Sequence, residues 1–156
     1  KIVNFWSKQD IAKILKEYGE EQFALPIAEA IIERRKEEAI GKTFELTRVI
    51  ENAVPGWYRR RKIHPATKTF QALRIAVNNE FANIREAISQ AIAILPSQGR
   101  IVAISFHSLE VRIIKYAFKD NPQLNVITKK VVIPSLEERK INPRARSAKL
   151  RAAEKV

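Results

Sequence analysis

The sequence has no cysteine and no methionine, and only two histidines and four glycines. Without cysteine, neither disulfides nor thiolate metal sites can form. His64 and His107 alone cannot build a histidine-rich site, so no metal is expected. The glycine shortage carries further. Neither G-x-G-x-x-G nor G-x-x-x-x-G-K-[ST] occurs, and no segment can cradle a nucleotide cofactor in the usual way. No apolar run approaches the ~20 residues of a bilayer span; "QAIAILP" is too short and ends in proline. The first residues, "KIVNFWSKQD", lack the apolar stretch and small residues of a secretory signal. These absences predict a cytoplasmic protein with no membrane partner. Methionine is missing even from position 1, which predicts a processed product or a piece of a longer chain.

What is present is basic. The 156 residues carry a net charge of +12, unevenly spread. Residues 1–54 hold nine Lys/Arg against ten Asp/Glu, whereas residues 55–156 hold twenty against seven. A chain so polarised points to an anionic partner for its second part, nucleic acid first. A membrane surface is the weaker candidate, because no basic helix carries a bulky aromatic face. A DNA-reading helix-turn-helix in residues 7–54 is disfavoured by that region's slight negative charge.

The first part reads as helices. "SKQDIAKILKEYG" has Ser7 as N-cap, Asp10 three residues on, Ile11, Ile14, Leu15 and Tyr18 on one face, and Gly19 to close it. A second helix starts near Leu25, with Pro26 in its first turn. A third begins at Thr43 and stops at Pro55-Gly56. After Pro65, the stripe Phe70, Leu73, Val77, Phe81, Ile84, Ile88, Ala91, Leu95 predicts one long helix. The apolar run Ile101 to Ile104, bounded by Gly99 and a polar turn, then reads as a strand buried on both faces, of the kind found in parallel sheets. A helix follows from "SLEVRIIKYAFK", then a long strand in "LNVITKKVVIPS" and a shorter one after "NPRARS". One such strand with two late partners makes half a sheet, again predicting a piece of a larger fold.

Three constellations could carry chemistry. In "WYRRRKIHPATK", Arg59, Arg60, Arg61 and Lys62, with Lys68 and Arg74 downstream, form a phosphate-binding corner at a helix start. Trp57 and Tyr58 either stack on unpaired bases or staple two helices together. In "SFHS", Ser105 and His107 stand at the carboxyl end of the buried strand, where open α/β sheets bind ligands. A nucleophilic serine is disfavoured, because Ile104 and Phe106 stand where the hydrolase elbow needs glycines. In "NPRARSAKLR", Arg144, Arg146, Lys149 and Arg151 form either a phosphate track or a charge-protected edge strand.

Taken in order, "EYGEEQFA", "RKIHPATKTFQALRIAVNNE", "GRIVAISFHSLE" and "NPRARSAKLRAAE" resemble the MraW/RsmH family of bacterial methyltransferases, which modify a cytosine N4 in small-subunit ribosomal RNA. The resemblance implies an α/β fold: part of a class I, Rossmann-like S-adenosylmethionine methyltransferase sheet with an inserted helical domain. Residues 1–64 would be the helical, RNA-recognition insertion and residues 65–156 the C-terminal part of the methyltransferase domain. It also implies 16S rRNA in the small ribosomal subunit as substrate and a missing N-terminal half as partner. The cofactor would be S-adenosylmethionine, bound through a motif that this chain does not contain, so that the segment alone would be inactive. Ser105 and His107 would lie near the target base, and Arg59, Arg60, Arg61, Lys62, His64, Lys68, Arg74, Arg144 and Arg146 on RNA. The alternative is an RNA-binding module without catalysis. Two departures from the family pattern stand out. Val111 replaces an Asp after "SLE", predicting a weaker helix start at Ser108, and Gln98-Gly99 replaces Gly-Gly.

Overall fold

In a computed structural model that describes residues 1–156, helices dominate the first half. The opening turn α1 (Ile2–Phe5) leads to Ser7, whose side chain accepts the Asp10 N–H at 3.1 Å and starts α2 (Lys8–Glu17). The Asp10 carboxylate accepts the Ser7 hydroxyl in return. Helix α3 (Ala24–Glu37) takes Pro26 in its first turn, where no intrahelical N–H is lost. Helix α4 (Thr43–Ala53) begins one residue after Lys42. Glu45 reaches back to accept the N–H groups of Lys42 and Gly41, both at 3.0 Å, and those bonds hold its carboxyl below the ordinary value. A short turn, α5 (Gly56–Arg59), precedes α6 (Thr67–Asn78).

Ile11, Leu15, Ile27, Ile31 and Ile50 are fully enclosed, with Ala72 of α6 among them. Gly19 is required by proximity. A Cβ there would stand 2.7 Å from the carbonyl oxygens of Leu15 and Lys68, so only glycine lets α6 cross the end of α2 so closely. The left-handed residue that turns the chain is the next one, Glu20, at φ 48°.

The single long helix predicted after Pro65 is two. Asn79 takes φ 51°, ends α6, and is followed by α7 (Glu80–Ile94). Asparagine is the residue that tolerates this conformation best after glycine. The break shifts the buried faces. Val77 is exposed, while Ile75 and Ile92, outside the predicted stripe, are buried. The chain accordingly divides into two compact units, Lys1–Asn79 and Glu80–Val156. That division lies beyond residue 64 because α6 belongs to the first core.

In the second unit, β1 (Arg100–Ser105), α8 (Ser108–Lys119), β2 (Leu124–Val126), α9 (Leu136–Ile141), a 3₁₀ turn (Pro143–Ser147) and β3 (Lys149–Lys155) follow α7. The sheet order is β1-β3-β2, with β3 antiparallel to both neighbours; Ala103 faces Arg151, and Val126 faces Ala153. Ile88 and Ile92 of α7 and Ile114 and Phe118 of α8 cover one face, closing on Ile101, Ala103, Leu124 and Ala153.

Strand β1 is therefore not buried on both faces. Ile101, Ala103 and Ser105 point under the helices, whereas Val102 and Ile104 are each 57% exposed. An unbroken apolar run does not reveal that only one side has a cover. The long strand predicted for "LNVITKKVVIPS" also shrinks. The N–H groups of Ile127 and Thr128 both donate to the Ala152 carbonyl, and the Thr128 hydroxyl accepts the Ala152 N–H at 2.9 Å. Two residues then oppose one, the ladder breaks as at a bulge, and only Val132 pairs again, with Leu150. No helix is long and apolar enough to cross a membrane.

The end of β3 ties the unit together. Lys155 Nζ donates to the carbonyls of Ile92 and Leu95, at 2.8 and 2.7 Å, and so satisfies the last turn of α7. A cation there also complements the helix dipole. Lys155→Met keeps the apolar stem and removes the donor. It should cost about 1.5–3 kcal/mol in urea denaturation, the range for hydrogen bonds to a charged group; an unchanged midpoint would show the contact to be idle.

Candidate nucleic-acid interface

The basic turn in the first unit is built on a buried polar pair. Glu21 is 2% exposed and Tyr58 4%. The Tyr58 hydroxyl lies 2.8 and 3.0 Å from the two Glu21 carboxylate oxygens, and the Phe23 N–H donates to the same carboxylate at 2.9 Å. Burial, reinforced by this bond and by the Glu21 charge, pushes the Tyr58 phenol up to about 12; Arg61 opposes the shift. Phe23, Trp57 and Tyr58 pack edge to face around the pair, with centroids 4.9–5.8 Å apart. The two aromatics of "WY" thus divide their duties. Tyr58 is the staple, and Trp57 keeps half its surface in solvent.

The cations project from this knot. Arg59, Arg60, Arg61 and Lys62 are all exposed, and no carboxylate forms a salt bridge with any of them. Arg61 lies over both the Trp57 and the Tyr58 ring, 4.9 and 5.0 Å from their centroids. Lys68 is partly committed, since its Nζ donates to the Glu20 carbonyl at 2.8 Å. His64 is occupied at both nitrogens: Nδ1 accepts the Ala66 N–H, and Nε2 lies 3.2 Å from Glu51 Oε1. It is therefore a fixed part of the turn rather than an available phosphate ligand. Arg74 is exposed on α6, and Arg144 and Arg146 are exposed on the 3₁₀ turn. Lys149 and Arg151 stand instead on β3, on the helix-covered side, so the four do not form one strand-spaced track.

At the end of β1 the geometry differs from the sequence expectation. Ser105 is 4% exposed, and its hydroxyl donates to the Lys149 carbonyl at 3.4 Å, so it is not presented to solvent. His107, not Ser108, is the N-cap of α8. Its Nδ1 accepts the Glu110 N–H at 3.5 Å, while Glu110 Oε2 accepts the N–H groups of Phe106 and His107. This capping box lies one residue earlier than predicted, and Glu110 fills the role that Asp at 111 would have had from Ser108. Val111 therefore does not weaken the helix start. Glu80, His107 and Glu110 bring ligand atoms within 4.8 Å of one another. His107 Nδ1 already accepts a backbone N–H, and Nε2 lies 3.1 Å from Glu110 Oε1, an arrangement that serves the cap.

Two participants escaped the sequence reading. Phe106, 53% exposed beside the cap, is the side chain that the strand end presents. Glu21 is the other; no periodicity marks a carboxylate that a distant tyrosine will bury. The Phe106 signal was available, since Glu110 three residues after His107 is a cap spacing.

A methyl-donor cradle needs backbone room at a strand-to-helix turn. The β1–α8 turn, Phe106-His107, contains no glycine, Gly19 and Gly99 are packed against neighbouring backbone and side chains, and no glycine takes a positive φ. The one strand-to-helix turn after β1 therefore does not fit that group.

Residues 1–156 match the sequence profile described as the MraW methylase family. The "Ribosomal RNA small subunit methyltransferase H" of Synechocystis sp. is 50% identical over 155 residues, covering 99% of this chain and 50% of the relative. The protein of the same name from Persephonella marina is 48% identical over 158 residues, with 99% and 54% covered. That from Synechococcus elongatus is 50% identical over 155 residues, with 99% and 51% covered. The chain spans about half the length of the curated relatives it matches.

Tyr58→Phe should leave the buried Glu21 carboxylate with one donor and cost about 2–3 kcal/mol in chemical denaturation. The pH dependence has a definite sign. A phenol raised in the folded state contributes fully below its unfolded value near 10, and this contribution is lost as pH rises through about 12. Wild-type stability should fall between those values, and the fall should be smaller in Tyr58→Phe.

Proposed function

The chain belongs to the MraW methylase family, and we propose that it forms the C-terminal half of an enzyme that methylates the N4 of a cytosine in 16S rRNA of the small ribosomal subunit, using S-adenosylmethionine. The observation that carries this reading is the match along the whole chain to relatives named for ribosomal RNA small subunit methylation. The sheet supports it. β1 lies at an edge and exposes Val102 and Ile104 on its uncovered face, as expected where the rest of a Rossmann-like sheet and its helices would continue. The methyl-donor cradle belongs, in this reading, to the other half.

The chemistry sets what these residues must do. An exocyclic cytosine amine is a poor nucleophile because its lone pair is conjugated with the ring. Rate must come from holding the amine in line and from a group that takes its proton. The base has to be unpaired or turned out of its stack. From this chain, Arg59, Arg60, Arg61, Lys62 and Lys68, with Arg74, Arg144 and Arg146, would hold the RNA backbone. Residues 1–64 would supply most of the RNA recognition. His107 enters as a positioning residue, capping α8 and so setting the direction of Phe106 at the strand end, while Ser105 fixes β1 to β3 beneath it.

Full-length protein incubated with small ribosomal subunits and methyl-labelled S-adenosylmethionine should yield labelled N4-methylcytidine after nucleoside digestion. Label in another nucleoside would refute the assignment. RNA binding with no label would favour the non-catalytic RNA-binding module. For the chain itself, replacing Arg59, Arg60, Arg61 and Lys62 with glutamine should flatten the salt dependence of single-stranded RNA binding by about 0.7 for each phosphate no longer neutralised. An unchanged slope would mean that these cations are merely solvated.

A further inference from the structure

Behind the basic turn lies a cavity of about 310 Å³ lined by Tyr58, Arg61, Lys62, Ile63, His64 and Lys68. Its size is at the small end of ligand pockets, roughly 300–1,000 Å³, matching a single small ligand rather than a length of strand. Its walls combine two chemistries. Ile63 and the Tyr58 ring are apolar or aromatic, whereas Arg61, Lys62 and Lys68 are cationic side chains. A bare anion would leave the apolar wall unused, and an uncharged base would leave the cations unmatched. A molecule with a flat ring at one end and a phosphate at the other satisfies both.

We propose that this pocket takes one ribonucleoside 5′-phosphate unit, supplied by an unpaired nucleotide of the bound RNA. The inference rests on the RNA-binding reading above and adds a separate, saturable subsite to it. Lys62 has no carboxylate partner, and Lys68 commits one of its three donors to the Glu20 carbonyl, so both keep donors for a phosphate. Arg61 is held over Trp57 and Tyr58 by their rings, not by an acid, and can swing toward an anion at the cost of an exposed cation–π contact. The Tyr58–Glu21 bond keeps the back wall rigid while that happens.

That arrangement gives the site its own reporter. When Arg61 leaves the Trp57 face, Trp57 emission must change. In a Trp6→Phe chain, where Trp57 is the only indole, adenosine 5′-monophosphate should change the emission saturably, and adenosine or inorganic phosphate should not do so at the same concentration. Lys62→Gln should weaken the nucleotide about tenfold without moving the melting temperature, as should Lys68→Gln, judged against its own melting curve. No response to the nucleotide, an equal response to adenosine or to phosphate, or undiminished binding by Lys62→Gln would overturn the proposal. Decauridylate should displace the nucleotide; failure to displace it would remove RNA as the source. Filter binding of the same RNA keeps the two readings apart. RNA retained without a nucleotide response sinks the pocket alone, whereas a nucleotide response without RNA retention sinks the RNA reading.

Discussion

The hydrogen bond between Tyr58 and Glu21 is the constraint on which the basic turn depends. It joins a buried carboxylate to a phenol 37 residues away in sequence, at 2.8–3.0 Å. A buried carboxylate without donors is costly enough to unfold its surroundings; with the phenol and the Phe23 N–H it becomes an anchor instead. The anchor fixes Tyr58, the ring packing fixes Trp57 and Phe23, and Arg61 settles over two of those rings. Loop residues that would otherwise wander are thereby held at one place on the surface. The interactions that shape the site thus lie underneath it, in uncharged contacts and one polar pair, while the cations themselves remain unpaired.

The second unit obeys a different constraint, the shortage of cover. Two helices shield one face of three strands, and the antiparallel β3 in the middle gives both β1 and β2 a partner. Lys155 closes the far end by capping α7. The opposite face keeps Val102 and Ile104 exposed across from Ala152 and Leu150. A half-covered sheet with an open edge is an uneasy arrangement in water.

What could be read from the sequence was what depends on near neighbours. Ser7 with Asp10, Pro26 in a first turn, and the apolar spacing of α2 are local, and those features are present. The errors arise where apolar spacing and composition are silent. Asn79 breaks a helix whose apolar stripe runs on without interruption, because spacing does not register one left-handed residue. "RIVAIS" looks buried on both faces because composition does not reveal how many layers surround a strand. Thr128 cuts β2 short by lending its hydroxyl to Ala152, a partner 24 residues on. In the candidate site, the exposed cations were legible as charge, whereas Glu21 was not, and Ser105 and His107 were legible as position but not as orientation.

The electrostatics favour a cationic run kept for a ligand rather than for the fold. Two unit charges 4 Å apart in water interact by only ~1 kcal/mol, so Arg59, Arg60, Arg61 and Lys62 can stand together without breaking the turn. Yet four neighbouring cations gain nothing from one another, and no acid has been placed beside them, although residues 1–54 are rich in acids. Glu51 goes to His64, and Glu21 is buried under Tyr58. Where stability alone governs a surface, opposite charges are interspersed. Leaving this run unneutralised, on a rigid support and beside a cavity that mixes ring and cation, favours an anionic occupant for which the protein has kept its charges free.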